Sequence, residues 1–537
     1  MLVSVFHFHL ISHLATHPRI SHQYYTIATE MATCSFFKLP RELRDSIYEH
    51  YFYSAGGYAY DYDTGKLRAA SGERIDLSLR LTCRLVADET RGLALKLNSL
   101  HFTTVYRNEN RDVLGRFSAL LDILVHHKAD IIKSAVLAGC FDQPLCCELK
   151  RAHPHLQPVI DDLLARYSAK YPYPDHWKVP LSIGRRFVVD TLRLVSQQPN
   201  FAATMAACPY KRRADGHYGD ALWLSYDPWI IPTTDEVNKL FALGFPLVPE
   251  QIKADYIVNT QKYFHYQKYR LSAASVAIHF LGSLSCTTRR EVRKIDLHED
   301  RVAIAWPESH AQGLIPFCRD NPQLRVERRV SLWRNALLRG SVPLFNFVHG
   351  LTRGNTNTAL VHTLRGEAIS RDGIASWITE ALALPGLGMP ANAFSLILEC
   401  DGLPERSRQV FEIVKQDAAW QTAFEEWNAA RGFGLEPWEW MRVRVSKMYI
   451  AQGFPHAVRS IIEGNSLVKC DFDLDNACDV DARRLVAEAQ DWELSDWYGH
   501  WWDLRRAIAF DTEPPLPSWL DIRREDLLPS EDEASSQ

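Results

Sequence analysis

No charge of one sign dominates this sequence. Lys and Arg total 61 against 65 acidic residues, a formal net charge of −4. A phosphate-binding surface draws most of its affinity from excess cation and counterion release, and the paired arginines (Arg185-Arg186, Arg328-Arg329, Arg505-Arg506 and others) are scattered among acidic or apolar neighbours. Nucleic-acid binding is not expected. No stretch reads as a membrane span. Leu271 to Thr288 is uncharged but holds four serines, two threonines and His279, and Ala381 to Leu398 is broken by Pro385, Gly386, Gly388 and Pro390. Both read as buried core elements, since spanning takes ~20 apolar residues. The 11 cysteines are odd in number and irregular in spacing, so they outline no disulfide framework. Cys83, Cys286 and Cys400 lie in apolar stretches, where a free thiol behaves as a small hydrophobe. An intracellular, reducing setting, cytoplasmic or nuclear, is the expectation.

The short catalytic devices are missing as well. There is no G-x-S-x-G elbow, G-x-x-x-x-G-K-[ST] phosphate loop, H-E-x-x-H or G-x-G-x-x-G. No catalytic residue, metal ligand or cofactor is therefore nominated. Dispersed residues such as His126, His279, His298 and Asp300 keep an enzyme as the alternative reading. Two partial metal patterns occur. Asp471, Asp473, Asp475, Asp479 and Asp481 alternate like a calcium loop, but Asn476 replaces the turn glycine and Ala482 the bidentate Glu. Cys140, Cys146, Cys147, His153 and His155 offer soft ligands without the paired spacing of a zinc finger. The expectation is an acidic helix entry in the first case and buried thiols in the second.

What the chain does have is the material for a core. Over 537 residues, 46% are hydrophobic and 23% charged, which suits a globular protein of two to four domains at about 150 residues each. Residues 1–30 differ, with His7, His9, His13, His17 and His22 among apolar residues and no Lys or Arg before Arg19. They read as a disordered extension, or as sequence ahead of a start at Met31, since a signal peptide wants a basic beginning and an unbroken apolar run.

From Phe36 a helical grammar begins. Leu39, Leu43, Ile47 and Tyr51 recur every fourth residue and share one face. Pro40 suits the first helical position and Glu42 the first turn. Tyr58, Tyr60 and Tyr62 alternate into Asp63-Thr64-Gly65-Lys66 and Leu67, predicting a β-hairpin. Asp76 is placed to cap a second helix with Leu77, Leu81 and Leu85 on its face, and a short strand, Phe102 to Tyr106, follows. An amphipathic segment runs from Val113 to Ile132, with Pro-rich connectors at 154–158 and 172–180. Helices are predicted near 182–196, 233–243, 250–285, 324–348, 367–383, 404–430, 436–452, 455–464 and 480–510. Nine of the 15 tryptophans fall after residue 419, and Trp492, Trp497 and Trp501 are spaced to pack a helix face as core.

Two segments carry a family resemblance. Phe37-Lys38-Leu39-Pro40-Arg41-Glu42-Leu43-Arg44-Asp45-Ser46-Ile47-Tyr48 resembles the opening helix of F-box and F-box-like proteins, and Leu79-Arg80-Leu81-Thr82-Cys83-Arg84-Leu85-Val86-Ala87-Asp88-Glu89-Thr90 resembles their second signature, in which a Leu-rich stretch runs into a Cys-Arg. The pairing is most similar to the F-box-like proteins of filamentous fungi and covers Phe36 to Tyr106. It departs from them in the long hairpin-bearing insertion between Gly56 and Ile75. The resemblance implies a Skp-family adaptor of a cullin–RING ubiquitin ligase as partner, met by Leu39, Pro40, Leu43 and Ile47. The alternative for that stripe is inward packing on Leu77, Leu81 and Leu85.

The expected architecture is mainly α: a multi-helix or irregular α-repeat-like fold with a small β-hairpin inserted in the N-terminal module. Its divisions are the F-box-like module at 31–110, a helical domain at 111–350, a Trp-rich helical domain at 351–510, continuous with it or separate, and a flexible acidic tail at 511–537. Gly350 to Asn357 is the expected boundary. The expected role is protein–protein interaction, as a ligase adaptor or as a scaffold with a degenerate F-box.

Overall fold

Every second side chain is buried along three short segments, and that period defines the architecture. Ile295, Leu297 and Glu299, then Val326, Arg328 and Val330, then Phe394, Leu396 and Leu398 all point into the protein, the period of a strand. The computed structural model describes residues 35–165, 177–203, 223–244, 267–340, 362–431, 435–475 and 480–528. Its strands are β1 (Tyr58–Asp61), β2 (Lys66–Ala69), β3 (Leu100–Thr103), β4 (Val105–Tyr106), β5 (Arg270–Leu271), β6 (Lys294–Glu299), β7 (Arg325–Ser331), β8 (Leu364–Arg365), β9 (Phe394–Glu399), β10 (Val468–Cys470) and β11 (Ala509–Phe510).

Seven of these form one sheet in the order β10-β9-β7-β6-β3-β1-β2. All neighbours are parallel except the edge hairpin β1–β2. The mainly α expectation is therefore overturned: this is an α/β fold with a mixed sheet. The hairpin does pair where expected, Asp61 opposite Lys66, but as the edge of the sheet. The sheet also crosses the division expected near residue 350, since β6 and β7 precede it and β9 and β10 follow. Gly350 to Asn357 itself lies outside the described residues.

Strand order follows chain order, so each crossover steps the same way. Right-handed crossovers taken in one direction lay their helices on one face. On that face, Leu100, Phe102, Ile295, Leu297, Val326, Val330, Leu396, Leu398 and Val468 share one core with residues of several helices. The opposite face carries Thr103, His101, Lys294, His298, Arg325, Glu327, Arg329 and Lys469, all exposed or half-buried.

The helices used below are α1 (Arg41–Phe52), α2 (Arg84–Glu89), α3 (Leu93–Leu97), α4 (Arg111–Leu137), α5 (Leu181–Val195), α6 (Ala273–Ser283), α7 (Ala375–Leu387), α8 (Pro404–Ala430), α9 (Leu494–Arg506) and α10 (Trp519–Arg524). Within the described residues the 250–285 prediction shortens to β5 and α6, and the 324–348 prediction becomes β7, a π-helical turn, Leu332–Ala336, and a short helix, Leu337–Gly340. The expected connector at Pro154–Pro158 instead opens a helix, Gln157–Leu164. Trp497 and Trp501 of α9 are buried against Trp420, Phe424 and Trp427 of α8, with Trp492 packed beside them.

A buried ion pair ties sheet to helices. Glu299 and Arg328, on adjacent strands, are almost wholly enclosed, with Arg328 Nη2 2.6 Å from Glu299 Oε1. The backbone N–H groups of Ala273 and Ala274, at the start of α6, donate to the same carboxylate at 3.1 and 3.2 Å, where a helix N-terminus favours negative charge. Arg328 also donates to the Pro307 carbonyl at 2.7 Å and lies 4.8 Å from the Trp377 ring of α7.

Residues 511–528 belong to the fold, contrary to the flexible tail expected there. Trp519 and Ile522 are buried in the main core. Trp519 meets Trp333 edge-on at 6.3 Å, Glu525 pairs with Arg301 at 3.0 Å and Arg334 at 2.9 Å, and Asp526 pairs with Arg270 at 2.5 Å.

Candidate functional site

The residues held in reserve for an enzyme do not converge. His126 bonds the Asp122 carbonyl of its own helix, and His279 is exposed on α6. His298 stacks beside His101 on the open sheet face, while Asp300 accepts from Thr104 Oγ1 at 2.7 Å. A serine–histidine grouping does exist, but it is sealed. His310 Nε2 donates to the Ala305 carbonyl at 2.7 Å, leaving Nδ1 as the acceptor facing Ser272 Oγ at 2.7 Å and Ser275 Oγ at 3.0 Å. Complete burial pushes the imidazole pKa down to about 3, so the ring is neutral.

In an open parallel sheet, ligands usually bind beyond the carboxyl ends of the strands. Here the C-terminal segment lies across those ends. Glu525 engages Arg301 after β6 and Arg334 after β7, and Pro515 stands against Gly402 after β9.

Among the described residues neither partial metal pattern assembles. Asp481 caps a helix by accepting from Arg483 N, Asp471 accepts from Cys400 N, and Asp479 lies outside the described residues. Cys140 and Cys146 are buried and Cys147 is exposed, while His153 bonds Asp190 at 3.0 Å. Among the described residues no three His, Cys, Asp or Glu side chains group as metal ligands.

The N-terminal module presents a different kind of surface. Pro40 occupies the N-cap of α1, where its missing N–H costs nothing. Tyr48 and Phe52 are the side chains that α1 buries, packing with Val86, Phe37, Leu79 and Leu97. The stripe one position earlier therefore points away: Leu43 is 52% exposed, Ile47 45% and Tyr51 38%. Pro40 is exposed and Leu39 half-buried.

The predicted second helix is broken. A 3₁₀ turn, Ser78–Leu81, ends before α2, and Asp76 bonds Ser78 N at 2.8 Å. Its stripe is not buried against α1 either, because Leu77, Leu81 and Leu85 are all exposed, Leu81 at 86%. Inward packing of one stripe on the other is thus excluded.

Polar ties hold the two segments side by side. At one end Glu89 accepts from Arg44 Nη2 at 2.5 Å and from Tyr48 Oη at 2.8 Å. The Arg44 hydrogen bond holds the Glu89 carboxyl below its usual range, and burial, then Glu89, pushes the Tyr48 phenol up to about 12. At the other end Tyr51 Oη donates to Asp76 Oδ2 at 2.6 Å. Between these ties lies an apolar surface on a braced frame. Beyond Leu77 it runs into a groove of about 830 Å³ walled by Leu67, Ile75, Leu95 and Phe280. Asn98 fixes the frame to the sheet by donating to the Phe52 carbonyl at 2.8 Å.

Spacing in the sequence found the stripe of Leu43 and Ile47. It did not find that Leu77, Leu81 and Leu85 are exposed as well. The signal available was the Arg44, Tyr48 and Glu89 trio, which fixes the other side of α1 against α2.

Comparison with protein-family models, with curated proteins and with solved structures finds no match. Among the described residues, no helix is long and apolar enough to cross a membrane.

Proposed function

We propose that this chain is an interaction protein working inside the cell, whose F-box-like module docks on a Skp-family adaptor of a cullin–RING ubiquitin ligase. The observation that carries the reading is that Leu43, Ile47 and Tyr51 of α1, and Leu77, Leu81 and Leu85 of the segment tied to it, are all exposed. Fully burying one such side chain is worth about 1.5–3 kcal/mol, so leaving six in water on a braced frame favours a surface kept for a partner. An amphipathic helix meeting an apolar groove is a common mode of recognition. The covered carboxyl ends of the strands favour binding over an active site at the usual place.

A second reading has its own support. The insertion that departs from the F-box pattern supplies β1 and β2 to the sheet, which suits a module retained for the fold, a scaffold with no ligase role. Pull-down from a fungal extract separates the two. The proposal expects the adaptor with the wild-type chain and its loss from a folded Leu39→Ala/Pro40→Ala double mutant. Absence of the adaptor from wild type, where a known F-box protein recovers it, leaves the scaffold reading.

A further inference from the structure

Lys128 and Arg185 line one small cavity, and each bonds a backbone carbonyl there. The cavity, about 260 Å³, lies between α4, α5 and the 224–229 segment, and both Lys128 and Arg185 line it. Lys128 is 7% exposed, and its ammonium donates to the Leu224 carbonyl at 2.5 Å. Arg185 donates to the Tyr226 carbonyl at 2.8 Å and lies 5.1 Å from the Trp306 ring. Among the described residues no carboxylate oxygen comes within ion-pair distance of either, in contrast to the buried pairs Arg328–Glu299 and Arg505–Asp417.

A buried charge is costly unless it is paired, and a carbonyl oxygen offers only partial charge. Burial and the neighbouring Arg185 bring the Lys128 pKa down to about 8, which leaves the amine mainly protonated at neutral pH. Asp227, on the same cavity wall, has its carboxyl pushed up by burial and drawn part of the way back by Arg185. The remaining lining is largely apolar or aromatic, including Leu124, Val188, Val189 and Trp229. The volume equals roughly nine waters at about 30 Å³ each, room for a ring or short chain bearing one acidic group.

We infer that this cavity is a binding site for a small organic carboxylate, its acid group held by Lys128 and Arg185 and its apolar body by the Leu124, Val188 and Trp229 walls. An inorganic anion would match the charge but leave the apolar lining unsatisfied. A neutral analogue would match the lining but leave the cations unpaired. The site is separate from the docking face on α1 and stands whether or not an adaptor binds there.

Calorimetric titration of the full chain with sodium benzoate, benzamide and inorganic phosphate tests the assignment. Benzoate is expected to bind at one site, with benzamide and phosphate each at least about tenfold weaker, a difference of about 1.4 kcal/mol. Lys128→Met and Arg185→Met should each weaken benzoate by about tenfold or more. Val189→Trp, which fills the cavity from its half-exposed wall and touches neither cation, should abolish binding and keeps the test informative if a methionine variant does not fold. No benzoate binding by wild type up to about 10 mM would overturn the site. Equal binding of benzamide, tighter binding of phosphate, or undiminished binding by Val189→Trp would do the same.

Discussion

Replacing Arg328 by methionine is expected to destabilise the protein by about 3–5 kcal/mol, the usual result of leaving a buried charge without its partner. Glu299 would keep only the two N–H donors at the start of α6 in a place fully closed to water. The same change removes the cation over Trp377 and the bond to the Pro307 carbonyl, so β6, β7, α6 and α7 all lose a shared fixture. Changing both partners, Glu299→Gln with Arg328→Met, should recover at least half of the loss, because an isolated carboxylate is worse than a neutral pair. Urea unfolding followed by tryptophan fluorescence measures both. A loss below about 1 kcal/mol for the single variant, or a double variant no better than the single, would refute this role for the pair.

The second large effect lies at the far end of the chain. Trp519→Ala is expected to cost about 3–5 kcal/mol, as for other large aromatic deletions from a core. Trp519 is fully enclosed and stands edge-on to Trp333, directly after β7. Glu525 and Asp526 add pairs to Arg301, Arg334 and Arg270, so shortening the chain to residue 510 should destabilise at least as strongly as the point change. A tail free of the core would predict no change for either. Thermal unfolding of the full chain and the two variants decides between these, and an unchanged midpoint in the shortened chain would contradict the packed segment.

The sequence showed its long helices and hid its sheet, and particular residues explain both. Helix α8 spans 27 residues from Pro404, long enough for its period to stand out, and the predicted 404–430 has the same bounds. The strands are two to seven residues long, shorter than the 11–18-residue windows in which periodicity is clear. In β7 the inward positions are Val326, Arg328 and Val330 and the outward ones Arg325, Glu327 and Arg329. An arginine on the core side erased the alternation, and the segment read as a charged helix. Its partner Glu299 is a strand away, and nothing local announces that pairing. The tail was misread for a related reason. Its acids pair with arginines nearly two hundred residues or more away, and its apolar anchors, Trp519 and Ile522, are too few to set a period.

At the candidate site the stripe was legible but its direction was not. Leu43, Ile47 and Tyr51 and the neighbouring stripe of Arg44, Tyr48 and Phe52 have the same spacing. What turns the second inward is Glu89, held by both Arg44 and Tyr48, together with the packing of Phe52 near Leu97. The expected disordered extension at residues 1–30 lies outside the described residues.

The most direct test is a binding titration of the purified full chain against a purified Skp-family adaptor, repeated with Leu43→Asp/Ile47→Asp. Both positions are exposed, so the variant should unfold at the wild-type temperature. The account predicts one adaptor bound per wild-type chain and at least about a hundredfold weaker binding by the variant, about 2.7 kcal/mol. No binding by wild type, or equal binding by a variant that unfolds at the wild-type temperature, would contradict it.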